Sequence, residues 1–170
     1  MRRRAFLKRG LFGGALLTAG ALPLGLWGPV ELPDWRPRRP LVTFDQAGFA
    51  VLVAVAARVV QAPGADPVEI AHRVDEGLAR AVPELQADLR GLLRLFDNAL
   101  AGLLLDGRFR PFTRLPPEAQ DAVLLAWRDS RFVLRRGGYQ ALRKLTLAEH
   151  YGSPETWASV GYPGPPEIAQ

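Results

Sequence analysis

Residues 44–61 read FDQAGFAVLVAVAARVVQ, and this stretch is the clearest indication that the chain is helical. It overlaps a Thr-x-x-Gln pattern at residues 43–46, which has the spacing of a helix capping box. Arg58 is its only charged residue after Asp45, so the predicted helix is apolar around most of its circumference. We expect such a helix to be either the centre of a bundle or a surface covered by a second protein.

The next two segments also have helical patterns. Asp66-Pro67 supplies an N-cap and a first-turn proline for a second helix. A third helix is predicted from Pro83 to about Asp106-Gly107, because apolar residues recur there at steps of three and four. Its apolar row consists of Leu85, Leu89, Leu92, Leu93, Phe96, Leu100, Leu103 and Leu104.

Two more helices are predicted before the chain ends, and no strand. The Pro-Pro-Glu sequence at residues 116–118 starts a fourth helix, in which Trp127 faces inward and Phe132 is a further candidate for the core. Residues 139–151 form a fifth helix, and Gly137-Gly138 either punctuate or weaken its start.

These patterns divide the chain into four predicted segments. Residues 1–28 form an export signal or anchor, and residues 29–42 form a proline-rich linker. Residues 43–151 form one all-α bundle of four or five helices. Residues 152–170 form an extended tail that is rich in proline, glycine and aromatic residues.

The charge of the chain argues against a nucleic-acid partner. Residues 1–40 carry eight Lys or Arg against two acids, whereas residues 41–170 carry 14 basic and 15 acidic side chains. The formal charge of +5 therefore comes from the start of the chain, and the body lacks a basic excess for binding phosphates. The absence of cysteine excludes thiolate catalysis and iron–sulfur ligation.

The first residues predict an export signal. Residues 3–8 read RRAFLK, and a weakly apolar run follows, so the segment resembles a twin-arginine signal. Its candidate residues are Arg3, Arg4, Phe6, Leu7 and Lys8. An uncleaved anchor is the alternative, because residues 11–30 are just long enough to span a ~30 Å hydrocarbon core. The expected location is the periplasm or the periplasmic face of the inner membrane, and the twin-arginine translocase is an expected partner.

The body offers no recognisable catalytic, cofactor or metal site. The two histidines, His72 and His150, lack ligand spacing. We expect His72 to be solvated or at a boundary and His150 to interact favourably with a helix C-terminus. The pair Asp75-Glu76, and Asp97 with Asp106, are expected to form local salt bridges.

Three stretches carry a resemblance to a known family. They are FDQAGFAVLVAVAARVV (44–60), LLRLFDNALAGLLLDGRFRPFTRLPPEAQDAVLLAW (92–127) and LTLAEHYGSPETWASVGYPGP (145–165). With them the body resembles the gluconate 2-dehydrogenase subunit 3 family, the small subunits of flavoprotein dehydrogenases.

The resemblance implies a function for the opening signal. Such subunits accompany a large subunit of the glucose-methanol-choline oxidoreductase type, which binds FAD and lacks its own signal. A cytochrome c subunit is a further candidate member of the assembly. We expect this chain to bind no cofactor and to contact the large subunit through Trp157, Tyr162 and Pro163, with the exposed part of the first helix behind them. The alternative for the tail is that it packs on its own bundle.

Two other functions stay open at this point. A stand-alone helical protein, either periplasmic or tethered by its leader, would need no flavoprotein partner. A small enzyme would need a deep polar pocket near His150 or His72.

Overall fold

The computed structural model describes residues 35–98, 101–102, 107 and 110–165. The regular secondary structure of these residues is helical and includes no strand, so the all-α prediction is confirmed. The helices are α1 (Gln46–Val59), α2 (Pro67–Leu78), α3 (Pro83–Asp97), α4 (Pro117–Arg128), α5 (Val133–Tyr151) and α6 (Pro154–Trp157), with 3-10 turns at Phe112–Arg114 and Ala158–Val160.

Helix α1 is the centre of the bundle. It packs against α2, α3, α4 and α5, and residues 49–56 are at most 1 % exposed. Arg58 near its end forms a bidentate ion pair with Asp121 of α4, at 2.8 and 2.7 Å. Residues 49–56 of α1 are therefore covered by the chain's own helices, and the apolar residues of this helix that keep exposed surface are Ala47, Ala57 and Val59 at its two ends.

The start of α1 differs from the predicted capping box. Asp45 is the N-cap, and its Oδ1 accepts a hydrogen bond from the Gly48 backbone N–H at 2.8 Å. Thr43 instead donates its hydroxyl to the backbone carbonyl of Asp75 at 2.9 Å. A carboxylate is a strong N-cap acceptor, and the Thr43 hydroxyl is already engaged by α2.

Helix α3 is shorter than the sequence predicts. It ends at Asp97, and Asn98 has an extended backbone. The Asn98 side chain accepts a hydrogen bond from the Ala101 N–H at 2.9 Å, and residues 101 and 102 are helical again, so the backbone at Asn98 interrupts the predicted third helix. Leu85, which we expected in the apolar row, is 51 % exposed.

Helix α5 runs without a break through its two glycines. A Cβ on Gly138 would lie 2.8 Å from a methyl carbon of Leu92 and 3.0 Å from the Trp127 ring. Gly138 thus permits a close approach of α5 to α3 and α4. Trp127 is in the core, in edge contact with Phe96 at 4.6 Å between ring centroids, whereas Phe132 is half exposed, so its predicted core position is wrong.

Residues 35–43, the N-terminal segment, lie along α2. They contain no helix, and Trp35 and Leu41 pack against the main core. The buried Asp75 carboxylate accepts hydrogen bonds from the backbone N–H groups of Val42, Thr43 and Phe44 at 2.7, 2.9 and 2.8 Å. The prediction of a local salt bridge for Asp75 is therefore wrong.

A histidine of α2 forms a second attachment of the N-terminal segment. His72 is fully buried, and its Nε2 accepts a hydrogen bond from the Arg38 backbone N–H at 3.0 Å. Its ring also lies 4.7 Å from that of Phe49. The expectation that His72 is solvated or at a boundary is wrong, because this bond gives its Nε2 a backbone partner inside the fold.

Two arginines complete the attachment by ion pairs. Arg38 pairs with the Asp66 carboxylate, and Arg39 bridges Glu69 at 2.7 Å and Glu76 at 2.6 Å. Hydrogen bonds from Arg39 hold the pKa of Glu69 below its usual range. Asp66, Glu69, His72 and Asp75 recur every third residue, so they form a row that winds about half a turn around α2.

Candidate functional site

The predicted export residues Arg3, Arg4, Phe6, Leu7 and Lys8 lie outside the described residues. The predicted partner contacts Trp157, Tyr162 and Pro163 are described. Among the described residues, no helix has both the length and the hydropathy that crossing a bilayer requires.

The three predicted contact residues lie in a compact turn. The Trp157 and Tyr162 rings meet edge to face, with centroids 5.4 Å apart, and the Tyr162 N–H donates to the Trp157 carbonyl at 2.9 Å. Gly161 supplies a backbone φ of 69°, which only glycine adopts readily. Trp157 is half-buried, whereas Tyr162 and Pro163 are exposed. Part of the Trp157 ring is thus covered by the tail itself.

Short helical turns replace the predicted extended tail up to residue 160. Pro154 is at the first helical position of α6, where a missing N–H costs no hydrogen bond. The Thr156 hydroxyl lies 3.0 Å from the His150 carbonyl and 2.8 Å from the Ser153 carbonyl. Glu155 pairs with Arg73 of α2 at 3.3 Å. These contacts stabilise a helical turn, which explains why proline content alone misled the prediction.

A polar groove lies between α2 and these helical turns, with a volume of about 280 Å³. It is lined by Pro63, Gly64, Asp66, Glu69, Ile70, Arg73, His150, Glu155, Thr156 and Ser159. Arg73 pairs with Glu69 and Glu155 at this groove. In the described part of the chain, no hydrogen bond joins the His150 ring to a hydroxyl or a carboxylate. The same part contains no group of three or more His, Asp or Glu side chains placed to hold a metal ion.

Among the described residues, the longest run of large exposed apolar side chains lies at the start of α5. Phe132, Val133 and Leu134 are 51, 75 and 47 % exposed. Arginines flank them on both sides, and we call residues 131–136 the α5 tip. From the sequence, Phe132 was a core candidate of the fourth helix, and no surface was predicted at residues 131–136. The sequence feature that indicates this exposure is the pattern RFVLRR, in which three apolar residues lie between arginines without the helical spacing that would bury them.

A second exposed apolar pair lies at the start of α3. Val82 and Leu85 are 62 and 51 % exposed. The exposed carboxylates Glu84 and Asp88 lie beside them in sequence. The exposed Arg80 lies two residues before Val82, so the neighbours of this pair are mixed in charge, whereas those of the α5 tip are mainly arginines.

A comparison with known protein families identifies the family of the chain. Over residues 46–164, more than half of the chain, the sequence matches the family described as gluconate 2-dehydrogenase subunit 3. No curated protein and no solved structure matches the chain. The match covers every described helix, from the central α1 to the turn at Tyr162. The chain belongs to the gluconate 2-dehydrogenase subunit 3 family.

Proposed function

We propose that the chain is a non-catalytic small subunit that binds, stabilises and escorts a large FAD-dependent dehydrogenase of the glucose-methanol-choline type. The observation that carries this proposal is the family match over residues 46–164, because a protein described as subunit 3 of a dehydrogenase works beside other subunits. FAD belongs to the large subunit in this proposal, and a cytochrome c subunit is a further candidate member.

The surface of the domain supports a binding role. Its central helix is covered by its own neighbours, so the domain has a complete core without a partner. Apolar side chains nevertheless remain exposed at the α5 tip and at Val82 and Leu85. Exposed apolar groups that a folded domain does not need for its own core are typical of protein contact surfaces. Trp157, Tyr162 and Pro163 remain predicted contacts as well.

The export part of the proposal rests on the sequence. The RRAFLK string at residues 3–8 resembles a twin-arginine signal, a route used by cargo that folds before it crosses the membrane. A flavoprotein that folds around FAD in the cytoplasm would then be carried by the signal of its small subunit. The proposed location of the complex is the periplasm or the periplasmic face of the inner membrane.

Affinity purification of the tagged full-length chain from its native cell tests the binding role. We expect a large subunit to co-purify with flavin absorbance, and mass spectrometry to identify it as a glucose-methanol-choline oxidoreductase. A single colourless 18.6 kDa species would contradict the proposal and favour the stand-alone alternative.

Replacement of Arg3 and Arg4 by lysine tests the escort role. We expect both subunits to stay in the cytoplasm, measured by cell fractionation and dehydrogenase activity in each fraction. The matched control is the double replacement of Arg2 and Arg9 by lysine, which alters two arginines of the same segment outside the pair. Normal export of the Arg3 and Arg4 variant would contradict the signal assignment.

A further inference from the structure

We propose that the α5 tip, residues 131–136, is the docking surface for the large dehydrogenase subunit. This inference rests on the proposed function and deepens it, because it assigns the contact to a surface that the sequence did not indicate. The partner chemistry that fits is an apolar pocket with an acidic rim.

The apolar part of the tip is accessible from several directions. Phe132 precedes α5, and Val133 and Leu134 are its first two residues. Successive residues of a helix point about 100° apart, so these side chains do not share one face. A flat partner would reach only one or two of them. A concave surface that receives the end of the helix would cover all three.

The charged part of the tip is held in place by local contacts. The Arg131 guanidinium lies 5.0 Å from the centroid of the Phe132 ring, a cation–π distance. Arg136 donates to the Ser130 carbonyl at 2.5 Å. Among the described residues, neither Arg131 nor Arg136 forms an ion pair with a carboxylate. Two ordered cations beside an apolar cluster favour a partner that supplies the carboxylates.

The second exposed apolar pair has neighbours of a different composition. Phenylalanine and arginine are enriched at protein interfaces, whereas aspartate and glutamate are depleted. The α5 tip contains a phenylalanine and three arginines, whereas the charged neighbours of Val82 and Leu85 in sequence are mixed: the carboxylates Glu84 and Asp88 and the exposed Arg80. This contrast selects the tip as the docking surface and makes the Val82 and Leu85 pair a matched control.

The test compares tagged variants of the full-length chain expressed in the native cell. The test variant is Phe132→Ser with Val133→Ser, and the control is Val82→Ser with Leu85→Ser. A third variant reverses the charge with Arg131→Glu and Arg136→Glu. Circular dichroism and melting temperature check that each variant folds, which we expect because all six side chains are exposed. The readout is flavin absorbance recovered per mole of tagged chain.

We expect at least a tenfold loss of recovered flavin in the test and charge-reversal variants, and less than a twofold change in the control. If the tagged wild-type chain is purified and no flavoprotein is recovered with it, the proposed function and this inference are overturned together. Flavoprotein recovery by wild type and by both tip variants alike would overturn this inference alone.

Two further results would assign the tip differently. A loss with Trp157→Ala but not with the tip variants would move docking to the predicted tail contacts and overturn the inference. The second result is that the chain sediments with phosphatidylglycerol vesicles but not with phosphatidylcholine vesicles, and that the tip variants lose this sedimentation while they still recover the flavoprotein. This result would make the tip a lipid-binding surface and would overturn the inference as well.

Discussion

The N-terminal segment (residues 35–43) and the C-terminal segment (residues 157–165) are both rich in proline and non-polar aromatic or aliphatic side chains, yet they are held in different ways. The first is bound by Asp75 and His72, buried side chains of another element. The second is bound largely by its own ring pair and backbone turn.

Composition alone therefore does not determine whether a proline-rich segment is attached to its neighbours. Prolines prevent both segments from continuing a helix. What differs is the number of acceptors that a neighbouring element presents to their backbone N–H groups. Asp75 alone accepts three such groups in the N-terminal segment. We therefore expect the N-terminal segment to contribute more to global stability than the C-terminal segment.

The largest expected effect is that of Asp75→Ala. It removes the acceptor of three backbone N–H groups at a buried position, and we expect a loss of about 3 kcal/mol of unfolding free energy. Urea denaturation measures the loss. Asp75→Asn, which keeps the shape and one acceptor oxygen, should cost less. Equal stability of the alanine variant and wild type would contradict the conclusion that attachment of the N-terminal segment contributes to global stability.

The second prediction concerns pH. Burial, followed by the charge of Arg39, lowers the pKa of His72 below its usual 6.5. Glu69, Asp75 and Glu76 also face this ring and act in the opposite direction. Because the unfolded chain takes up this proton at a higher pH than the folded chain, stability should fall as the pH drops through 6.5.

Melting temperatures of wild type and His72→Gln between pH 8 and pH 5.5 check this prediction. The glutamine variant does not titrate, so its curve should be flatter than that of wild type in this range. Burial raises the pKa of the Glu149 carboxyl above its usual 4.5. This group therefore makes stability fall as the pH rises through its folded pKa, which is opposite to the effect of His72. That contribution is present in both proteins and cancels in their difference. Parallel curves would contradict the assignment to His72.

A smaller effect is expected for Arg39→Ala. Its ion pairs with Glu69 and Glu76 are partly exposed, so screening limits their contribution to about 1 kcal/mol. Thermal unfolding at low and high salt measures it, and salt should reduce the difference between variant and wild type. Arg94→Ala breaks the more exposed pair with Asp45 and should change stability less. A larger loss for Arg94→Ala would contradict this ranking.

The smallest effect on stability is expected for Trp157→Ala. The variant loses an edge-to-face ring pair, which contributes about 1 kcal/mol, and the loss should be local. Hydrogen exchange should accelerate at the Tyr162 amide, which donates to the Trp157 carbonyl, while amides in α1 stay protected. Faster exchange throughout α1 would show that the C-terminal segment supports the whole bundle.

The sequence predicted the helices well where apolar spacing and N-caps agreed. The Asp66 N-cap and the start of α2 are confirmed, with Oδ1 accepting from the Val68 and Glu69 N–H groups. The break at Asn98 was missed because the apolar row continues past it. The helical course of α5 through Gly138 was missed because the need for close approach to Leu92 and Trp127 depends on tertiary packing.

The candidate surfaces were harder to predict than the helices. Trp157 and Tyr162 were predicted as partner contacts because they are aromatic residues near proline. Their packing on each other depends on a turn at Gly161, which the sequence pattern did not indicate. The exposure of Phe132 depends on where α4 ends and α5 begins. The attachment of the N-terminal segment depends on side chains more than 30 positions away, such as Asp75 for Val42. No local pattern encodes such a distance.

The attachment of the N-terminal segment to α2 controls the access of a protease to one peptide bond. Trypsin cleaves after arginine unless proline follows, and both Arg36 and Arg39 precede proline. The Arg38–Arg39 bond is then the one tryptic target within residues 35–43. Both of its arginines pair with carboxylates of α2, which share one side only when that helix is formed. The rate of cleavage at this bond therefore reports how often the N-terminal segment detaches from α2.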